Sequence, residues 1–306
     1  MEIENIKIYR GPYLYNCFWM ALIPILKKWD IDDNELLLNI VPVWEKDEQE
    51  NIRCFHTVVP FENWLAEYGI IEEVYSGDNL YGFMCRNIDC EIPVIVFIDC
   101  FYVDYIEDSY HKVHNKHCLV AYGYEGNNIK VIDHDYHTSL QYKRREVLYK
   151  ILYDGYIHNM EGLMAVAYRR VENKKHAKSR ISERLKNIKQ YFKEINWIDG
   201  VIEKIQELQQ NIHLIDNQII GQAYQFGMGL TSFQNIIEPF LSNECNQRLE
   251  EFCSNYLILR ACYYKICNTE KYKTPDFLKK TANLNKKCCE SAQYWYELFI
   301  GETWNL

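Results

Sequence analysis

A cysteine lies at the predicted start of a helix near the N-terminus. Cys17 opens an apolar stretch in which hydrophobic residues recur at steps of three and four, namely Phe18, Ala21, Leu22, Ile25 and Trp29. Unsatisfied backbone N–H groups and the positive end of the helix dipole favour a thiolate at such a position. The pattern therefore indicates a nucleophile. The competing interpretation is a small buried hydrophobic residue, the commoner fate of cysteines.

A histidine and a carboxylate border a predicted β-hairpin further along the chain. Residues 118–124 and 129–133 have strand patterns, and the turn-forming sequence Glu-Gly-Asn-Asn joins them. His117 begins the first strand and Asp133 ends the second, so Cys17, His117 and Asp133 form a candidate Cys/His/Asp set. A two-residue turn in regular register places His117 nearer Asp135 or Tyr136, which makes Asp135 the alternative orienting carboxylate. A histidine that is merely a satisfied surface or core residue is the competing interpretation.

The elements around these residues mix strands and helices. Residues 93–98 and 163–168 are apolar runs typical of buried strands, and residues 60–68 form a predicted short helix that ends at Gly69. Pro24 is expected to kink or shorten the helix that begins at Cys17. A second helix is predicted over residues 35–40.

The chain changes character at a polar, mostly basic segment, residues 172–180. Beyond it, apolar residues recur at helical spacing in four stretches, residues 181–195, 202–219, 249–266 and 277–299. Four such helices predict a bundle, and Cys262 and Cys288 are interpreted as packing residues within it. The sequence therefore predicts two domains, residues 1–172 and residues 173–306.

The segment from His117 to Asp133, HCLVAYGYEGNNIKVID, resembles the histidine-to-asparagine or aspartate hairpin of papain-like cysteine peptidases, including the C39-like group. The cysteine at a helix start about a hundred residues earlier is similar in order and spacing. Within that superfamily the chain most resembles the butirosin biosynthesis protein H type. The resemblance implies an α+β papain-like fold with an appended C-terminal helical bundle.

The resemblance also implies roles and partners. Cys17 would be the nucleophile, His117 the base and acid, and Asp133 the orienting residue. Members of the type move an acyl group from a phosphopantetheine thioester on an acyl or peptidyl carrier protein to an amine. The expected partners are therefore such a carrier and a small amine or diamine, and the protein needs no cofactor of its own.

One position departs from the papain-like pattern. The glutamine that usually lies about six residues before the cysteine is replaced by Gly11, and the first glutamine of the chain is Gln49. The backbone N–H of Cys17 is the default oxyanion donor, and the Asn16 amide or the Tyr13 hydroxyl could supply the second.

Two other functions use the same region. A cysteine peptidase or thioesterase would need the same three residues with water as the acceptor. A metal site would instead use a dense cluster of ligand-type side chains: His111, His114, His117, Cys118, His134, Asp135 and His137. That cluster lacks the spacing of a known zinc motif and would consume the base. A binding protein without catalytic activity is a further alternative.

Composition narrows the setting. The chain has 306 residues, of which 48% are hydrophobic, and a net charge of −9. This charge argues against general nucleic-acid binding, which requires a basic surface. The N-terminal residues lack the features of a signal peptide, so the twelve cysteines are expected to be reduced and the protein cytoplasmic. No apolar run is long enough to predict a membrane span.

Overall fold

The structure is a computed structural model that describes residues 1–9, 16–46, 52–134, 142–171, 180–210, 212 and 217–303. The helices are α1 (Cys17–Lys27), α2 (Asp33–Leu37), α3 (Phe61–Glu67), α4 (Leu80–Asp89), α5 (Tyr149–Ile157), α6 (Ile181–Glu194), α7 (Trp197–Gln210), α8 (Asn217–Ile237), α9 (Asn243–Asn268) and α10 (Pro275–Gly301). The strands are β1 (Ile40–Lys46), β2 (Ile52–Thr57), β3 (Ile70–Tyr75), β4 (Val94–Asp99), β5 (Lys116–Glu125), β6 (Asn128–His134), β7 (Tyr142–Leu148) and β8 (Ala165–Arg170).

The chain divides into two units. The first, here called the sheet unit, comprises Met1–Asp33 and Pro60–Ala177, and the second, the helical unit, comprises Asn34–Val59 and Lys178–Leu306. The contiguous division predicted from the sequence differs from this one, because residues 34–59 group with the C-terminal helices. The segment carries strand-forming residues, and nothing in its own pattern indicates which part of the chain it packs against.

The sheet unit is built on a six-stranded antiparallel sheet in the order β3-β8-β4-β5-β6-β7. The central strands β4 and β5 are almost entirely buried, which explains their continuous apolar sequences. Helices α4 and α5 contribute Phe83, Met84, Leu152 and Tyr156 to the core on one side of the sheet. The predicted strands at residues 93–98, 118–124, 129–133 and 163–168 are therefore present within one or two residues.

Helix α1 packs against β5, and the ring of Phe18 stacks on that of Phe97 in β4, with centroids 5.9 Å apart. The helix begins at Cys17, as predicted, because the Asn16 side chain accepts a hydrogen bond from the Trp19 N–H. It passes through Pro24 and ends at Lys27, one turn later. This short continuation matches the expected effect of an internal proline.

A β-bulge interrupts the pairing of β5 with β6. Gly123 pairs with Lys130, whereas Ala121 pairs with Val131, so β5 contains one extra residue, Tyr122. The N-terminal segment pairs with the other side of β5 at the same place, since the Ile3 N–H donates to the Tyr122 carbonyl at 2.9 Å. A methyl group on Gly123 would lie only 3.0 Å from the Met1 carbonyl oxygen, so the close approach requires glycine here.

The helical unit combines the β1–β2 hairpin with helices α6 to α10. Its centre is a cluster of buried rings, Phe192, Trp197, Phe233, Phe252 and Trp295. The single helix predicted over residues 202–219 is wrong, because that stretch contains the end of α7 and the start of α8. Ile212, between the two helices, is in a turn, and residues 211 and 213–216 lie outside the described residues.

The α+β fold with a helical C-terminal part is confirmed. Cys288 is fully buried and Cys262 is half-buried, in agreement with their interpretation as packing residues. All twelve cysteines are free thiols. Among the described residues, no helix combines the length and hydropathy required to cross a bilayer.

Candidate active site

The N-terminus of α1 presents Cys17. Because the Asn16 side chain caps the Trp19 N–H and the Asn16 carbonyl accepts from Met20, the first turn is fixed in place. The backbone N–H groups of Cys17 and Phe18 precede the first intrahelical donors and lie beside the thiol. Cys17 is half-buried, so part of the residue is exposed to solvent.

The hairpin supplies the other two predicted residues. His117 Nε2 lies 2.6 Å from Asp133 Oδ1, and the two side chains expose 6% and none of their surface. A buried carboxylate of this kind fixes both the orientation of the imidazole and its tautomer.

The β-bulge is what brings His117 and Asp133 to the same face of the sheet. Val120 on β5 pairs with Ile132 on β6, and their side chains lie on one face of the sheet. Because side chains alternate between faces, the adjacent residues Leu119 and Asp133 lie on the opposite face. His117 is two positions from Leu119 on β5 and therefore shares that face with Asp133. Continuing the regular register of the turn would instead set Asp133 opposite Val120, on the other face. One extra residue thus decides which carboxylate meets the histidine.

Cys17 and His117 each shift the pKa of the other. A hydrogen bond from the Cys118 side chain and the contact with His117 lower the pKa of Cys17 well below its ordinary value, despite burial. Burial lowers the pKa of His117, but Asp133 and Cys17 outweigh it, and the net pKa lies well above the ordinary value. Both shifts favour the thiolate–imidazolium form of the pair over the neutral form.

Sequence analysis missed Cys118 as a partner of the nucleophile. Hydrogen bonding from the side chain of Cys118, and to a smaller extent from its backbone N–H, lowers the pKa of Cys17. Burial raises the pKa of Cys118 well above its ordinary value, so this thiol stays protonated and remains a donor. Its position directly after His117 was visible in the sequence, but a strand normally directs neighbouring side chains to opposite faces.

A second buried thiol, Cys100, lies nearby at the end of β4. Burial raises its pKa to about 11, and the charges of His117, Asp133 and Cys17 also act on it. Cys100 therefore stays neutral beside the thiolate and does not compete as a nucleophile.

Of the remaining candidate residues, Asn16 is among those that the structure describes. Asn16 is the helix cap and uses its side-chain oxygen for that purpose, which leaves its Nδ2 as the group able to donate to an oxyanion. Tyr13, Gly11 and Asp135 lie outside the described residues.

Two histidines of the alternative metal cluster, His114 and His117, pair with different carboxylates. His114 pairs with Asp99 at 2.6 Å and is 55% exposed, whereas His117 is buried against Asp133. No group of three or more metal-binding side chains forms among the residues that the structure describes, and His137 lies outside them.

The aromatic residues near the motifs separate into two sets. Phe18 and Trp19 pack against Phe61, with ring centroids 6.0 and 5.2 Å from its own. Phe101 instead stacks on His114, at 4.3 Å. Phe18 and Trp19 follow Cys17 on the same helix, α1, whereas Phe101 lies on a different element.

Three comparisons were made with known proteins, and one of them, with protein-family models, matches the family type that the sequence resembles. Residues 70–134 match the family model of butirosin biosynthesis protein H, N-terminal. A search of curated proteins finds no match. A structure from Bacillus anthracis, described as a C39-like peptidase, is 14% identical with a TM-score of 0.39, covering 56% of this chain and 98% of the other.

The matched segment runs from β3 to β6 and contains His117 and Asp133. The resemblance to the butirosin biosynthesis protein H type is thus confirmed for this segment. Cys17 lies outside it, so the link between Cys17 and the two hairpin residues depends on the geometry of the site.

Proposed function

We propose that the protein is a cysteine-dependent acyltransferase that forms amide bonds. The acyl chain moves from a carrier-protein phosphopantetheine thioester to Cys17 and then to a small amine. The observation that carries this proposal is the Cys17–His117–Asp133 arrangement, in which half-buried Cys17 begins α1 and His117 and Asp133 are buried. The family match over residues 70–134 supports a biosynthetic acyltransferase or peptidase-like enzyme.

The first half-reaction consumes the ion pair. The Cys17 thiolate attacks the thioester carbonyl, and the tetrahedral intermediate expels the phosphopantetheine sulfur, which takes the proton of the His117 imidazolium. This exchange of one thioester for another is nearly balanced in energy and needs no further activation. In this proposal the backbone N–H of Cys17 binds the developing oxyanion, with Asn16 Nδ2 as a second donor.

The second half-reaction restores the ion pair. An amine attacks the acyl-enzyme, neutral His117 takes a proton from its nitrogen, and Cys17 leaves as a thiolate. The amide is more stable than the thioester, so the transfer is irreversible. Proton transfer by a positioned histidine typically contributes about 10²- to 10⁴-fold to such a step.

The acceptor distinguishes this proposal from a peptidase or thioesterase. Water competes with the amine for the acyl-enzyme, and an amide-forming enzyme must favour the amine. Among enzymes of the family that it resembles, the protease-like amide synthetase of closthioamide biosynthesis joins carrier-bound acyl chains to a diamine. We extend this acceptor class to the present protein as part of the proposal.

The test separates the two half-reactions. Octanoyl and benzoyl thioesters of a phosphopantetheinylated carrier are mixed with the protein in the absence of amine, and intact-mass and peptide spectra are recorded. The acyl mass is expected on the peptide that carries Cys17. Adding putrescine should discharge it with formation of the amide, and butylamine provides a monoamine for comparison.

Two variants control the assignment. Cys17→Ala should abolish labelling and amide formation, whereas Cys90→Ala, which removes the exposed cysteine, should leave both unchanged. Acyl mass on another cysteine would refute the nucleophile. Discharge at the same rate with and without amine, giving only free acid, would identify a thioesterase instead.

A further inference from the structure

Both oxygens of the Asp133 carboxylate accept hydrogen bonds. Oδ1 accepts hydrogen bonds from His117 Nε2 and from the His134 backbone N–H, each at 2.6 Å. Oδ2 accepts a hydrogen bond from the Tyr105 hydroxyl at 2.5 Å. Asp133 has no exposed surface, so these donors take the place of water around its charge.

Tyr105 is itself held in place. It lies in the segment between the 3-10 turn Cys100–Tyr102 and β5, where its neighbours Val103 and Ile106 are buried in the core of the sheet unit. The guanidinium carbon of Arg145 lies over its ring, 4.6 Å from the centroid. The packing of the backbone and of the ring therefore fixes the position of the hydroxyl independently of its hydrogen bond to Asp133.

We propose that Tyr105 is a positioning residue that holds the Asp133 carboxylate against His117. This inference rests on the proposed function, since it assigns a role within the same Cys17–His117–Asp133 site. Tyr105 touches neither the sulfur nor the reacting carbonyl and acts only through Asp133. The sequence contains no signal for it, because Tyr105 lies twenty-eight positions before its partner.

The direction of its effect follows from the geometry. Without the hydroxyl, Oδ2 is buried with no donor from Tyr105, and the carboxylate can turn away from Nε2 to find another. The imidazolium of His117 then loses part of its interaction with the Asp133 charge, so it is less stable. The thiolate form of Cys17 is in turn less stabilised, because the imidazolium is its positive partner. Removing the hydroxyl should thus make the Cys17 thiol less acidic.

The hydroxyl remains a donor over the whole working range of pH. Burial and the neighbouring Asp133 charge raise the pKa of Tyr105 well above its ordinary value. Among the described residues, other titratable or charged groups around the site include His134 on β6, Cys118 on β5, Cys100 and Asp99 at the end of β4, and Arg145 on β7. Tyr105→Phe leaves all of them in place and removes a single oxygen atom.

The experiment measures alkylation of Cys17 by iodoacetamide as a function of pH, resolved by peptide mass spectrometry. For Tyr105→Phe we expect the midpoint of the Cys17 profile to move to higher pH, and the alkylation rate on the acid side to fall on the order of tenfold, as for loss of a hydrogen bond to a charged group. The matched control is Tyr124→Phe, which removes a similar hydrogen bond, 2.7 Å from the hydroxyl to Asp89 on the surface. The control should reproduce the wild-type profile.

A double-mutant cycle separates positioning from general stabilisation. In an Asp133→Asn background, Tyr105→Phe should cause little additional loss, because its effect passes through the carboxylate. A midpoint that is unchanged or lower in Tyr105→Phe, or a full additional loss in the Asp133→Asn background, would overturn the inference.

The readout needs no acyl substrate, so the two proposals can fail separately. Acid-range alkylation of Cys17 that depends on Tyr105, without any acyl transfer, would support the inference and contradict the proposed function. If Tyr105→Phe leaves both the acid-range alkylation of Cys17 and acyl transfer at their wild-type rates, the result would support the proposed function and contradict the inference about Tyr105.

Discussion

His117 and Asp133 are not partners in the strand ladder, yet their side chains meet at 2.6 Å because the bulge at Tyr122 sets them diagonally on one face of the sheet. Diagonal neighbours across antiparallel strands are within reach of long side chains. The distance is thus a direct consequence of one inserted residue in β5, and it makes Asp133 the carboxylate in contact with the histidine.

Replacing the carboxylate should expose this dependence. Asp133→Asn is expected to lower kcat by about 10²- to 10⁴-fold, since the histidine loses its counter-charge and its fixed tautomer. Steady-state rates of amide formation measure the effect. Asp135→Asn is the matched control and should cause a small loss, and equal losses at both positions would leave the orienting role unassigned.

The pH dependence should show two limbs. The pKa of Cys17 lies below its ordinary 9.0 and that of His117 above its ordinary 6.5, so the thiolate forms at lower pH and the imidazolium persists to higher pH. We expect kcat/KM for acylation to rise through the lowered pKa of Cys17, remain level, and fall through the raised pKa of His117. Acylation rates in buffers of constant ionic strength test this profile.

A second cysteine provides an internal comparison for that measurement. Burial raises the pKa of Cys289 to about 11, so its peptide should remain unalkylated under mildly acidic conditions in which Cys17 reacts. Equal reactivity of the two peptides at low pH would be incompatible with an ion pair at Cys17.

Cys118 should influence the acidity of Cys17. Cys118→Ala removes the thiol that donates to the Cys17 sulfur, so the alkylation midpoint of Cys17 should rise and the acid-side rate should fall about fivefold, as for a hydrogen bond worth about 1 kcal/mol. Cys100→Ala removes another buried thiol of the site and should leave the midpoint in place. A similar shift in both variants would indicate loosened packing instead.

The contact of α5 with β4 limits the size of residue 155. A methyl group on Gly155 would lie 3.1 Å from the Cβ of Ile98 and 3.3 Å from the Asp99 carbonyl oxygen, neither of which can move freely. Gly155→Ala should therefore destabilise the protein by about 1–3 kcal/mol, seen as a lower Tm for the sheet unit. Gly200→Ala in α7 meets no atom within 4 Å and should be neutral or stabilising, by about 0.5–1 kcal/mol.

Chelation should have no effect on amide formation. The proposed chemistry uses a thiolate and an imidazole, and neither step calls for a metal. Untagged protein incubated with EDTA and then desalted should retain its rate. Loss of activity that added zinc or nickel restores would move the assignment to the histidine-rich segment.

The sequence by itself determined the parts of the protein that depend on local patterns. The helix start at Cys17 follows from a capping asparagine and an apolar stripe, and the central strands follow from continuous β-branched runs. The order of Cys17, His117 and Asp133 along the chain was sufficient to recognise the family type that residues 70–134 match.

Tertiary structure decided how those parts meet. The bulge at Tyr122 is invisible in the hydrophobic pattern, because it arises where the N-terminal segment and β6 pair with β5 at the same place. Side chains normally alternate between the two faces along β5, so the pattern does not indicate that Cys118 and His117 both act on Cys17. Tyr105 reaches Asp133 only through the folding of a loop. Each of these contacts joins residues distant in sequence or on opposite faces, and packing of the whole sheet unit, rather than local propensity, brings them together.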